Sequence, residues 1–73
     1  MTPALQMLLD LWTLTLGQTD IYGNAIGVSS SKPNVTAIVL VVDGLMTYNP
    51  KTFRFMITQS GIDELTRSGL ITP

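Results

Sequence analysis

Seventy-three residues, with four basic and five acidic side chains and a net charge of −1, describe one small domain with no length for a second. The lack of cysteine and histidine excludes disulfides, thiolate zinc sites and histidine-based acid–base or triad catalysis. So balanced a charge predicts no general electrostatic grip on nucleic acid, and any such contact depends on where the charges lie.

The chain opens with a helix signal. Thr2 is a suitable N-cap and Pro3 a suitable first helical residue, since its missing N–H costs nothing there. Leu5, Leu8, Leu9, Trp12 and Leu16 follow at helical spacing, Met7, Leu11 and Leu14 widen the stripe, and Gly17 is a stop. The first helix is expected over residues 3–16. Its excess apolar surface has two readings, core burial or a dimer face, and a core this small favours a partner. No Lys or Arg precedes the apolar run, so a secretory leader is not expected. Residues 4–16, interrupted by Gln6 and Asp10, are too short to span a bilayer. A cytoplasmic protein with no membrane contact is the expectation.

Thr19 can cap a second, short helix over residues 20–26, although Gly23 and Asn24 weaken it. Gly27 supplies a left-handed turn, and Val28 can plug the core behind it. The stretch Ser29-Ser30-Ser31-Lys32-Pro33 reads as a loop and as a helix start, with Ser31 as cap. Val35, Ile38, Val39, Val41 and Val42 then favour a strand by propensity. The flanking elements favour a third helix over about residues 31–43, since tertiary context overrides propensity. In that helix Val35, Ile38, Val39 and Val42 form a face for the core, leaving Ala37, Leu40 and Val41 outward.

Residues 45–49 read as a strand, Asn49-Pro50-Lys51 as a turn and residues 52–57 as a second strand, with Phe53, Phe55 and Ile57 alternating against Arg54 and Met56. Thr58 or Ser60 caps a last helix that holds Ile62 and Leu65 and ends near Ser68-Gly69. Tyr22 is expected on the second helix with a wet hydroxyl, Tyr48 at the hairpin base, and Trp12 in the core or an interface.

Three fragments in order resemble the winged helix-turn-helix domains of bacterial and phage transcriptional regulators. They are Ala25-Ile26-Gly27-Val28-Ser29, Leu40-Val41-Val42-Asp43-Gly44-Leu45-Met46, and the run from Phe55 to Leu65 through Thr58-Gln59-Ser60-Gly61. The resemblance covers residues 19–66. It implies an α+β, mostly helical fold, a winged helix-turn-helix of three helices, a two-stranded wing and a C-terminal helix. It also implies double-stranded DNA as partner, the third helix in the major groove and the wing (residues 47–55) on the backbone or minor groove. Carried onto this chain, the DNA-binding residues are Ser30, Ser31, Lys32, Asn34 and Thr36 on the helix, and Asn49, Lys51, Thr52 and Arg54 on the wing. Ser, Thr and Asn suit phosphate, and Asn can pair with adenine. The same set has a blander reading as a solvated turn and cap. The implied assembly is a homodimer through the first and last helices.

The outward residues Ala37, Leu40 and Val41 depart from the family pattern, which offers basic or polar groups there. They point instead to a protein partner. The alternatives to a DNA-binding regulator are therefore a protein-binding winged helix and a small α+β structural or assembly protein, with phage origin open for both. No cofactor is implied. An enzyme is not expected: Asp63-Glu64 are helix neighbours that diverge, and Asp10 and Asp20 lack an evident partner. The serines lack a base, and the glycines lack the lysine of a phosphate loop.

Overall fold

The computed structural model describes residues 2–72. Helix α1 (Pro3–Thr15) begins where Thr2 accepts the Leu5 N–H on its hydroxyl at 3.2 Å, a side-chain oxygen satisfying an orphan donor of the first turn. Met7, Leu8, Leu11 and Thr15 form its buried stripe. Thr15 stays satisfied by donating to the Leu11 carbonyl at 2.8 Å. The helix stops at Leu16, which takes the left-handed conformation (φ 53°).

The short second helix expected over residues 20–26 is replaced by a strand and a turn. Ile21–Tyr22 (β1) pairs with the later strand, Ile21 opposite Phe55 and Tyr22 opposite Arg54. Gly23–Ile26 coils as a single 3-10 segment preceded by Tyr22, with no side-chain cap from Thr19. The reason is long-range: the Gly23 N–H extends the pairing to the Phe53 carbonyl at 3.1 Å, so the segment is held extended until Gly23. Gly27 (φ 80°) then turns the chain, and Val28 follows into the core.

Helix α2 (Val35–Val42) is helical against the β-propensity of its residues. Asn34, not Ser31, is its N-cap, accepting the Ala37 N–H at 3.1 Å. The helix is accordingly shorter than residues 31–43, and Ser30, Ser31, Lys32 and Pro33 lie in the loop before it. Ala37 and Leu40 anchor it among Leu8, Leu11 and Leu65, the tertiary context that overrides propensity. At its end the Leu45 N–H returns to the Leu40 carbonyl at 2.9 Å.

Strands β2 (Met46–Asn49) and β3 (Arg54–Ile57) form an antiparallel hairpin with Met46 opposite Ile57 and Asn49 opposite Arg54. The expected two-stranded wing is thus part of a three-stranded sheet, ordered β1-β3-β2. Helix α3 (Gln59–Arg67) is capped by Thr58, whose hydroxyl accepts the Gly61 N–H at 3.1 Å and donates to the Gly44 carbonyl at 2.7 Å. One side chain therefore starts α3 and ties it to the end of α2.

Leu8, Leu11, Leu40, Met46 and Leu65 are the largest fully buried side chains. They come from α1, α2, the sheet and α3, so one core joins every layer. The result is a small α+β domain of three α-helices and a three-stranded antiparallel sheet. No helix among the described residues is long and apolar enough to cross a membrane.

Candidate functional site

The faces of α2 are the reverse of the sequence expectation. Ala37 and Leu40 are buried and Val41 is half-buried, whereas Val35, Ile38, Val39 and Val42 are 74%, 53%, 44% and 77% exposed. These four recur at i, i+3, i+4 and i+7, which places them on one side of the helix. An octapeptide whose only polar residue is Thr36 has no hydrophilic side to mark water, so periodicity could not choose between the faces. The small Ala37 beside Leu40 chose by fitting the core. The outcome is an aliphatic, uncharged surface, of the kind that marks interaction sites in soluble proteins.

Beside this face lies a groove of about 450 Å³, between α2, the loop preceding it and the hairpin. Ile38, Val41 and Val42 form its α2 wall, and Tyr48, Phe53 and Phe55 the opposite side. The rings make a cluster: Tyr48 lies over Phe55 with centroids 4.8 Å apart, and Phe53 meets both edge-on at 6.2 and 6.1 Å. Phe53 holds this place with a left-handed backbone (φ 55°), a conformation costly for a bulky residue. Ser30, Ser31 and Lys32 of the loop line its remaining side. Apolar walls with a few polar groups at one end are the usual makeup of a binding groove.

The residues expected to read DNA divide into three groups. Ser30, Ser31, Lys32 and Asn34 come together on the groove. Within that group Ser31 is engaged with Ser29, hydroxyl to hydroxyl at 2.9 Å, and the Asn34 side-chain oxygen Oδ1 is committed to capping α2. Thr36 is half-buried on α2 and outside the groove. Asn49, Lys51 and Thr52 cluster at the exposed hairpin turn, where the Asn49 side chain accepts the Lys51 N–H at 3.0 Å, a local turn-forming bond. Lys32 and Lys51 make no ion pair among the described residues.

Arg54 is separate from both clusters. It alternates with Phe55 along β3 and so points to the other side of the sheet. There its guanidinium donates to Asp20 at 3.2 Å and to the Tyr22 hydroxyl at 3.3 Å, and it lies 4.4 Å from the Tyr22 ring centre. The Tyr22 hydrogen bond first, then Asp20, hold its pKa above the ordinary arginine value. Arg54 therefore ties β3 to β1 and has a carboxylate partner already. Tyr22 lies on β1 and accepts from Arg54, where a helical position with a wet hydroxyl was expected.

The sequence reasoning missed the exposed face of α2 and the aromatic side of the groove. No local signal marked the first, because Ser31 and Asn34 can both cap and the helix between Val35 and Val42 is apolar on every side but that of Thr36. Beyond α2, the exposed surfaces of α1 and α3 differ in character. Leu14 on α1 and Leu16 just past its end are exposed, while α3 presents Gln59, Ser60, Asp63 and Arg67 to water. No group of three or more potential metal ligands occurs among the described residues.

Searches against protein-family descriptions, curated proteins and solved structures found no match to this chain.

Proposed function

We propose that this protein is a docking module that binds another protein surface through α2. The observation that carries the reading is the outward row Val35, Ile38, Val39 and Val42. Leaving four aliphatic side chains in water forgoes their burial energy, at about 25 cal/mol per Å², and a partner recovers it. The surface fits a partner that is itself aliphatic and uncharged, because the row presents no group able to satisfy a buried polar atom. The adjoining groove extends the contact toward Tyr48, Phe53 and Phe55, residue types that supply much of the energy at interfaces.

DNA binding by a winged helix is the second reading, favoured by a specific observation. The order α1, β1, 3-10 turn, α2, β2, β3, with β3 between β1 and β2, agrees with such a domain. Lys32 lies in the loop before α2 and Lys51 in the hairpin turn, and neither makes an ion pair among the described residues. Against it, the exposed side of α2 offers no hydrogen-bond donor to a base edge, and two uncommitted lysines give few phosphate contacts.

A photo-crosslinking residue in place of Val39, with the same residue in place of Asp63 on α3 as control, tests the choice in cells. The proposal requires protein adducts from position 39, none from position 63, and loss of the adduct when Val35→Asn and Val42→Asn are added. Nuclease-sensitive adducts, or none from position 39, would overturn it.

A further inference from the structure

The apolar row of α2 is bracketed by two charges in an unusual order. Lys32 stands two residues before the N-cap Asn34, and Asp43 is the C-cap residue. The positive end of a helix dipole is its N-terminus and the negative end its C-terminus. Each charge therefore sits at the end of α2 that repels it. No acidic residue lies in the first turn and no basic residue in the last to offset them. Lys32 also lacks an ion-pair partner among the described residues, as does Asp43.

We infer that a second copy of this chain covers the face, α2 packing against α2 antiparallel about a two-fold axis. This rests on the reading of α2 as a docking surface and names its occupant. Antiparallel pairing brings Lys32 level with the C-terminal end of the partner helix, and Asp43 level with its N-terminal end. Both unfavourable placements become favourable at once. A parallel pair would instead bring Lys32 level with Lys32 and Asp43 level with Asp43, like charges at both ends.

The aliphatic row suits the same symmetry. A two-fold interface must be self-complementary, since one patch meets itself, and a row free of charge and hydrogen-bonding groups meets its copy without an unsatisfied atom. The helix spans about 12 Å at 1.5 Å per residue, and its midpoint falls between Ile38 and Val39. Antiparallel packing thus sets Val35 against Val42 of the partner subunit at each end, and Val39 against its own copy near the axis. On the groove side, Ile38 and Val42 border the hollow that ends at Tyr48 and Phe53, so the two hollows adjoin along one flank of the pair.

The chain has no cysteine, so each introduced one reports a single site. Val35→Cys, Val39→Cys and Val42→Cys replace exposed side chains and leave the core intact. Under mild oxidation, Val39→Cys is expected to form a disulfide dimer. Val35→Cys alone and Val42→Cys alone form no cross-link, and their mixture forms the mixed disulfide dimer, because a disulfide needs Cβ atoms about 4 Å apart. Sedimentation of the unmodified chain should show reversible dimerisation between about 10 μM and 1 mM, as an interface below standard size implies.

Charge reversal supplies an independent reading. Lys32→Glu or Asp43→Lys alone is expected to weaken the dimer by about tenfold, and the double reversal to recover only part of that loss, since it restores opposite charges across the pair but sets each against the repelling end of the partner helix. Each single change should leave the monomer as stable or more so, because it corrects a charge on its own helix. Disulfides of Val35→Cys with itself would show a parallel pair and overturn the arrangement. A chain that stays monomeric to 1 mM would overturn self-association. In that case capture of a different protein by position 39 would leave the docking reading standing, and capture of nothing there would remove both.

Discussion

Gly61 sits in the first turn of α3, and replacing it by alanine sets two effects against each other. By helix propensity alone the change is worth about 1 kcal/mol of added stability. The structure reverses the sign. A Cβ at this position would press into the carbonyl oxygen of Leu45 and lie 2.8 Å from Ile57 Cγ1. Neither neighbour is free to retreat. The Leu45 carbonyl accepts the Thr58 N–H at 3.2 Å, and the Leu45 N–H is held by the Leu40 carbonyl at 2.9 Å. Ile57 is buried. Overpacking costs about 1–3 kcal/mol, and loosening the Thr58 bond adds about 1 kcal/mol. After the propensity gain, Gly61→Ala should destabilise the domain by about 2 kcal/mol, lowering Tm by roughly 10 °C. Urea denaturation followed by the fluorescence of Trp12, the only tryptophan, should show a lower midpoint at unchanged slope. Gly69→Ala is the control: Gly69 has φ 76° and open space around its Cβ position, so backbone strain alone should cost about 1 kcal/mol. A Gly61→Ala protein as stable as its parent would refute the close approach of α3 to Leu45.

Other substitutions test separate parts of the account. Leu16→Gly should stabilise by about 1 kcal/mol in thermal melts, because Leu16 is exposed and left-handed and glycine carries no penalty there. Asn34→Ala should cost about 1 kcal/mol in urea denaturation and Asn34→Asp much less, since the aspartate retains the capping oxygen; a cap at Ser31 would make both neutral. Val35→Asn with Val42→Asn should stay within about 0.5 kcal/mol of the parent in dilute solution, while Leu40→Ala should cost about 2–5 kcal/mol. The opposite ranking in denaturant would restore the inverted face of α2.

Local signals in the chain carried the elements they govern. Thr2-Pro3 marked the start of α1, and Thr58 or Ser60 that of α3, where the structure uses Thr58, because a cap acts within one helical turn. Gly27 marked the turn after the 3-10 segment by its backbone alone. Residues 35–42 emerged as helix, as the neighbouring pieces required, although their propensity favours strand. What escaped depends on distant partners. Ile21-Tyr22 is too short to announce a strand and becomes one through Phe55 and Arg54, more than thirty residues on. Arg54 looked like a free cation because nothing local shows that Asp20 meets it. The two hydroxyl and amide caps, Ser31 and Asn34, compete on equal local terms, and only the packing of Ala37 and Leu40 separates them. With the cap misplaced, an almost wholly apolar helix left its wet face unmarked.

The central claim is that the aliphatic face of α2 is where this protein meets its partner. Amide chemical shifts of the isotope-labelled chain, followed as its own concentration rises and separately as mixed-sequence duplex DNA is added at low salt, test it most directly. The account predicts concentration-dependent shifts centred on residues 35–42 and the groove residues Tyr48 and Phe53, with little response to DNA. Shifts that appear only with DNA, centred on Ser30, Ser31 and Lys32 and on Asn49, Lys51 and Thr52, would contradict it.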